Sequence, residues 1–138
     1  MTGDPKTSIG RDHERPQNSD HVTNAITLYA IAKWSETFET ADTRKRQRLG
    51  WYLCPSGIDS NGLLELTSMG HRGLLAFGVF SLLCQWTSTL PKSIRGQLCR
   101  SDGRPMTIEQ IARQIRLDAE TVHDALVLLS SQRIRWIE

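Results

Sequence analysis

Four arginines, Arg113, Arg116, Arg133 and Arg135, bracket the stretch TIEQIARQIRLDAETVHDALVLLSSQ, residues 107–132. A guanidinium is a permanent cation with a fixed fork of donors, which suits it to phosphate oxygens. Thr121 and His123, inside the stretch, are the polar side chains with donors to offer a nucleic acid. Upstream, Arg44, Lys45, Arg46 and Arg48 make RKRQR, the one dense cationic run of the sequence. Cations of this kind neutralise phosphates and supply affinity without reading bases. The same charges also serve as a solvated edge that discourages aggregation, and spacing alone leaves both readings open.

Catalytic chemistry finds little to work with. His13 and His21 lie in a polar N-terminal stretch, His71 sits beside Gly70, and His123 falls on a polar helix face. No serine or cysteine occupies a nucleophile motif, and no glycine loop has phosphate-binding spacing. Glu36 and Glu39 are one helical turn apart, an ordinary arrangement for surface acids. Cys54, Cys84 and Cys99 form no CxxC pair, which argues against a zinc site or a disulfide framework. Cys84, within FSLLCQW, reads as a small buried hydrophobe. Trp34, Trp51, Trp86 and Trp136 read as core rather than as base-stacking platforms. The expectation is a protein that is not an enzyme, with no cofactor and no metal.

At 138 residues, with 38% hydrophobic and 23% charged residues, the chain has the composition of one globular domain. No apolar run reaches the ~20 residues of a membrane span, and MTGDPKTSIGRDHERPQNSD has no signal-peptide core. A cytoplasmic protein without a membrane partner is expected. The net charge of +2 is spread evenly, and residues 104–138 balance five arginines against five carboxylates. The bracketed stretch therefore lacks the basic footprint of a strong nucleic-acid reader.

The elements that must position these side chains follow from periodicity. Residues 1–20 read as a disordered polar tail, and 21–71 as an extension packed on a core domain at 72–138. Residues 22–34 carry both helical and strand signals and lean to helix. RQRLGWYLCP reads as a short strand closed by Pro55, SGIDSNG as a loop, and LLELTSM as a strand or a helical turn. RGLLAFGVFSLLCQWTST, residues 72–89, is the strongest apolar helix, with Leu75, Val79, Leu82, Leu83 and Trp86 on its buried stripe. RGQLCR is a short strand, and SDGRP turns the chain. Thr107 and Gln110 form a capping box for a helix burying Ile108, Ile111 and Ile115. Leu117 turns the chain, and Asp118 caps a helix burying Val122, Ala125, Leu126 and Leu129. RIRWIE alternates as a terminal strand should, with Ile134, Trp136 and Glu138 opposed to Arg135 and Ile137.

That order, helix, strand, helix, turn, helix, strand, is the order of a winged-helix domain up to the first wing strand. The expected fold is mainly α with a small β component (α+β): a helix-turn-helix core, an incomplete wing and an N-terminal extension. Either the chain was cut after the first wing strand, or that strand pairs only with GQLCR. KWSETFETADTRKRQRLGWYLCP, LTSMGHRGLLAFGVFSLLCQW and RGQLCRSDGRPMTIEQIARQIRLDAETVHDALVLLSSQRIRWIE together resemble the N-terminal winged-helix modules of phage and bacterial replication-initiation and helicase-loader proteins. The resemblance covers residues 33–138 and is one of pattern. It implies a DNA-associated role and further chain after Glu138. Two function classes remain: a module on double-stranded DNA, or a module that binds a protein partner or itself. Asp118, Glu120 and Asp124 at the start of the last helix would face a polyanion, so arginines elsewhere must carry any DNA contact.

Overall fold

The computed structural model describes Gly3, residues 26–54 and residues 60–138. The fold is mainly helical, with α1 (Trp34–Thr37), α2 (Asn61–Ser68), α3 (His71–Ser88), α4 (Ile108–Ile115) and α5 (Ala119–Leu129), and a 3-10 turn at Thr43–Lys45. α3 is central and packs against α2, α4 and α5. Its apolar sequence makes that position favourable, because a helix with no polar face is stabilised only among neighbours. Gly73 lets α2 close onto α3: a side chain there would collide with the Leu66 carbonyl.

Among the described residues no strand forms; extended backbone meets only at isolated bridges. Residues 29–32 lie between two other segments. On one side Ile31 donates to the Gly96 carbonyl (2.7 Å), and Leu98 donates to that of Tyr29 (2.8 Å). On the other, Ala30 and Glu138 exchange backbone bonds (2.8 and 2.9 Å), and Ala32 donates to Trp136 (2.9 Å). The terminal segment therefore pairs with residues 30–32, and not with GQLCR. The lean to helix over 22–34 is corrected for the described part, which is extended until α1 begins at Trp34. RQRLGWYLCP is irregular as far as it is described, RGQLCR contributes single bridges, and LLELTSM belongs to α2. In RIRWIE the strand expectation fails because Arg135 takes a left-handed φ of 53°, which breaks the alternation. Ile134 and Ile137 are both buried as a result. The tail expected over 1–20, apart from Gly3, lies outside the described residues, as do Val22, Ala25 and Pro55.

One buried cluster joins Ile31, Trp34, Phe38 and Leu66 to Val79, Leu83, Leu98, Ile111, Val122, Leu126, Leu129 and Ile137. Aromatic contacts run through it. Trp34 stacks on Phe38 at 4.8 Å, Phe38 meets Phe80 at 6.3 Å, and Phe80 meets Trp136 at 4.9 Å. Two members of the expected buried stripe are corrected: Leu75 is 52% and Leu82 36% exposed. α3 instead buries Gly73, Ala76, Val79, Leu83, Cys84 and Thr87. Trp86 and Ile108 are half-buried, and Trp51 is exposed rather than core.

Glu39 is not a surface acid. Its carboxylate lies 2.6 Å from Arg95 Nε, with the two side chains 4% and 2% exposed. The Trp34 indole donates to the same oxygen at 2.8 Å, and Arg95 Nη2 donates to the Arg46 carbonyl at 3.0 Å. The contact is close but imperfectly aligned, so neither Arg95 Nε nor Nη1 has a directed acceptor among the described residues.

These placements set two expectations for urea melts. Leu126→Ala should cost about 2–5 kcal/mol as a core truncation, and Leu75→Ala about 0.5 kcal/mol or less. Equal losses would contradict the facing of α3. Glu39→Gln should cost about 3–5 kcal/mol by stranding a buried guanidinium, and the apolar pair Glu39→Leu with Arg95→Met should recover most of it. A silent Glu39→Gln would remove the ion pair from any structural role.

Candidate nucleic-acid interface

α4 starts at a complete capping box: Thr107 Oγ1 accepts from the Gln110 backbone at 3.2 Å, and Gln110 Oε1 accepts from the Thr107 backbone at 3.0 Å. With Ile111, Ala112 and Ile115 turned inward, Arg113 is directed to solvent. Arg116 closes the helix in the left-handed region, φ 62°, and is also exposed. The Leu117 amide then donates back to the Ala112 carbonyl at 2.9 Å, a Schellman-type ending that reverses the chain in few residues. Asp118 caps α5, which buries Val122, Ala125, Leu126, Leu128 and Leu129.

The sequence-predicted residues fall into two groups. Arg113, Arg116, Arg135, Lys45 and Arg48 are exposed and form no ion pair among the described residues. The others have internal partners. Arg133 pairs with Glu65 of α2 at 3.2 Å, Arg46 with Asp42 at 2.8 Å, and Arg44 Nε donates to the Ser35 carbonyl at 2.9 Å. The Arg44–Arg48 run is held by Ser35, Asp42 and Arg95, none of them on α4 or α5. Arg113 and Arg116 share the end of one helix; among the described residues no ion pair joins them to the upstream run.

α5 is poorly equipped for a polyanion. Asp118 Oδ2 accepts the Thr121 hydroxyl at 2.7 Å, so that donor is already committed. His123 is exposed, and its Nδ1 lies 3.8 Å from Asp124. A cleft between α3 and α5 is rimmed by Asp118, Glu120 and Asp124, with Arg72 the single cation and Leu75 and Leu128 on its walls. Such a rim favours a cation over a phosphate.

The two buried cysteines are poor nucleophiles for a physical reason. Burial, reinforced by Cys54, pushes the Cys84 thiol up to about 12. Burial and then Asp102 raise that of Cys99. The thiolate, which is the reactive form, is thus suppressed at both. Among the described residues no three His, Cys, Asp or Glu side chains gather as a metal would need, and no helix is long and apolar enough to cross a membrane.

Two features escaped sequence reasoning. No periodicity marks Glu39 and Arg95 as partners across the fold. The exposed apolar side of α3 was hidden by uniform hydrophobicity, although the absence of Asp, Glu, Lys and Arg from residues 73–91 hinted at it. Comparison with protein-family models, with curated proteins and with solved structures gives no match.

Asp118 yields a pH expectation. The Thr121 backbone amide (2.8 Å) and then its hydroxyl hold the carboxyl below the usual carboxylate range. A depressed folded value means stabilisation that is full above the unfolded value of about 3.9 and lost as pH falls through the folded value. Asp118→Asn, a good cap that does not titrate, should match wild type near neutrality and show a flatter acid limb in urea midpoint against pH. Parallel acid limbs would show that the cap carries no linkage.

Proposed function

We propose that the chain is a non-catalytic, DNA-associated module of replication-initiator or regulator type, working in the cytoplasm on a winged-helix core with an incomplete wing. It contacts the DNA backbone through arginines outside the acidic start of α5. The observation that carries this reading is the pairing pattern at α4: Arg113 and Arg116 stand exposed without counter-ions among the described residues, directly before a helix whose first turns present Asp118, Glu120 and Asp124. In a base-reading helix-turn-helix the second helix enters the major groove by its N-terminal residues. Here those residues are acids, stabilised where they stand by the helix dipole. Cations that are already paired would have to give up a partner before binding phosphate, so Arg113, Arg116 and Arg135 outrank Arg133, Arg46 and Arg44.

A second reading, a winged-helix scaffold that binds protein and not DNA, is favoured by one observation: the leucines left exposed along α3. A salt titration of binding to double-stranded DNA separates the two. The first reading requires binding that weakens as salt rises. Arg113→Gln and Arg135→Gln should each weaken it on unrelated sequences and flatten the salt slope by roughly one unit, with Arg133→Gln doing less. Glu120→Ala and Asp124→Ala should leave affinity unchanged or raise it. Absence of binding at low salt would remove the DNA reading. Loss of sequence preference in the Glu120 and Asp124 variants, with silent arginines, would move the contact onto α5.

A further inference from the structure

Trp51 departs from the other tryptophans. Trp34 is buried, Trp86 and Trp136 are half-buried, and Trp51 is 54% exposed. Its ring meets no other aromatic ring among the described residues, whereas Trp34, Phe38 and Tyr52 pack on one another. An indole left in water forgoes the stabilisation that burial gives the other three. Yet the segment around it is anchored. Leu53 donates to the Phe38 carbonyl at 2.9 Å, and Arg95 donates to the Arg46 carbonyl at 3.0 Å. Tyr52 leans inward on Trp34 and Phe38, so Trp51 is held outward between fixed points. The neighbouring cations are free as well. Lys45 and Arg48 are exposed and form no ion pair among the described residues. Three residues span at most about 11 Å, so Arg48 and Trp51 open onto the same neighbourhood of the surface.

We propose that Trp51, with Lys45 and Arg48, is a binding site for single-stranded nucleic acid. The indole stacks on one base while the two cations meet flanking phosphates. Stacking needs a free base face. In a duplex each base is covered above and below by its neighbours, so the ring selects a single strand. An acidic peptide would satisfy the cations and leave the indole without a partner. An anionic lipid surface is the other partner that takes tryptophan together with cations. The backbone disfavours it. Residues 46–54 form no helix, and a segment that lies in a membrane interface is an amphipathic helix, its backbone groups already bonded. The site uses none of Arg113, Arg116 and Arg135, so it stands apart from the duplex contact assigned to them.

Titrating the full chain at low salt with a labelled oligothymidylate of roughly twelve nucleotides should raise its anisotropy and quench tryptophan emission. An oligouridylate run in parallel assigns the strand, the tighter of the two naming DNA or RNA. Trp51→Ala should weaken binding about tenfold, and Trp51→Phe should restore most of the loss, because a benzene ring also stacks. Circular dichroism should be the same for both variants, since the ring they replace stands largely in water. Lys45→Gln and Arg48→Gln should each flatten the salt slope by roughly 0.7. On double-stranded DNA, Trp51→Ala should change nothing. Failure of both oligonucleotides to bind at low salt would overturn the proposal, as would binding indifferent to Trp51→Ala. An equal loss on the duplex would also overturn it. So would vesicles of phosphatidylglycerol that displace the oligonucleotide and need Trp51, which would give the patch to a lipid surface.

Discussion

The attachment of residues 34–46 turns on one buried ion pair, Glu39 with Arg95, whose side chains are almost wholly removed from water. Taking two charges out of water costs several kcal/mol per ion, roughly, so the pair is a poor source of net stability. Its effect is on register. One carboxylate oxygen serves both Arg95 and the Trp34 indole, which fixes the segment after α1 against the loop after α3. Two leucines at these positions could slide past one another; this pair cannot slide without leaving a charge stranded. Gly96 completes the fit, because with φ at 84° and Trp34 packed over it, a Cβ would fall 2.6 Å from the tryptophan.

From that fixed point the rest of the architecture follows by short steps. With Trp34 seated, residues 30–32 lie between the Gly96–Leu98 segment and Trp136–Glu138, and both sets of backbone bonds close. The C-terminal segment is thereby held by the N-terminal one. Trp136, so placed, meets Phe80 and the edge of Phe77 on α3, and a Cβ on Gly62 of α2 would collide with it. α4 and α5 also pack on α3, with Val122, Leu126 and Leu129 in the shared buried cluster. Residues 30–38 and the C-terminal segment thus reach the central helix through contacts far apart in sequence, and each relies on the other.

What could be read from the sequence was what is local. The Thr107–Gln110 capping box, the Asp118 cap and the inward faces of α4 and α5 are decided within a turn or two of helix, and they stand as expected. Helices with distinct polar and apolar sides announce which way they face; α3 does not. Being apolar all round, it offered several equivalent stripes, and Leu75 and Leu82 were placed inward when the α2 contact at Gly73 turns them out. The terminal segment misled for another reason: alternation of residue types predicts a strand only if every φ stays extended, and Arg135 adopts the left-handed region that residue type does not announce. Among the candidate site residues, exposure was legible but pairing was not. That Arg133 is bound to Glu65, while Arg135 two positions on is unpaired, depends on where α2 docks.

Charge and apolar surface are only partly separated on this molecule: exposed Leu75 lies beside Arg72 in the cleft rimmed by Asp118, Glu120 and Asp124. Beyond Arg72, residues 73–91 of the chain hold no Asp, Glu, Lys or Arg, so the exposed Leu74 and Leu82 give a polyanion nothing to bind. The arginines at the end of α4, exposed and without an ion pair among the described residues, offer the reverse: cations of a kind whose attraction to phosphate falls with salt. Between them, the opening turns of α5 place carboxylates where a base-reading helix would place donors, and the first of them, Asp118, is engaged in capping. The exposed arginines at the end of α4 and the carboxylates at the start of α5 therefore stand on consecutive helices with opposite charge, so an anion drawn to the first is repelled by the second.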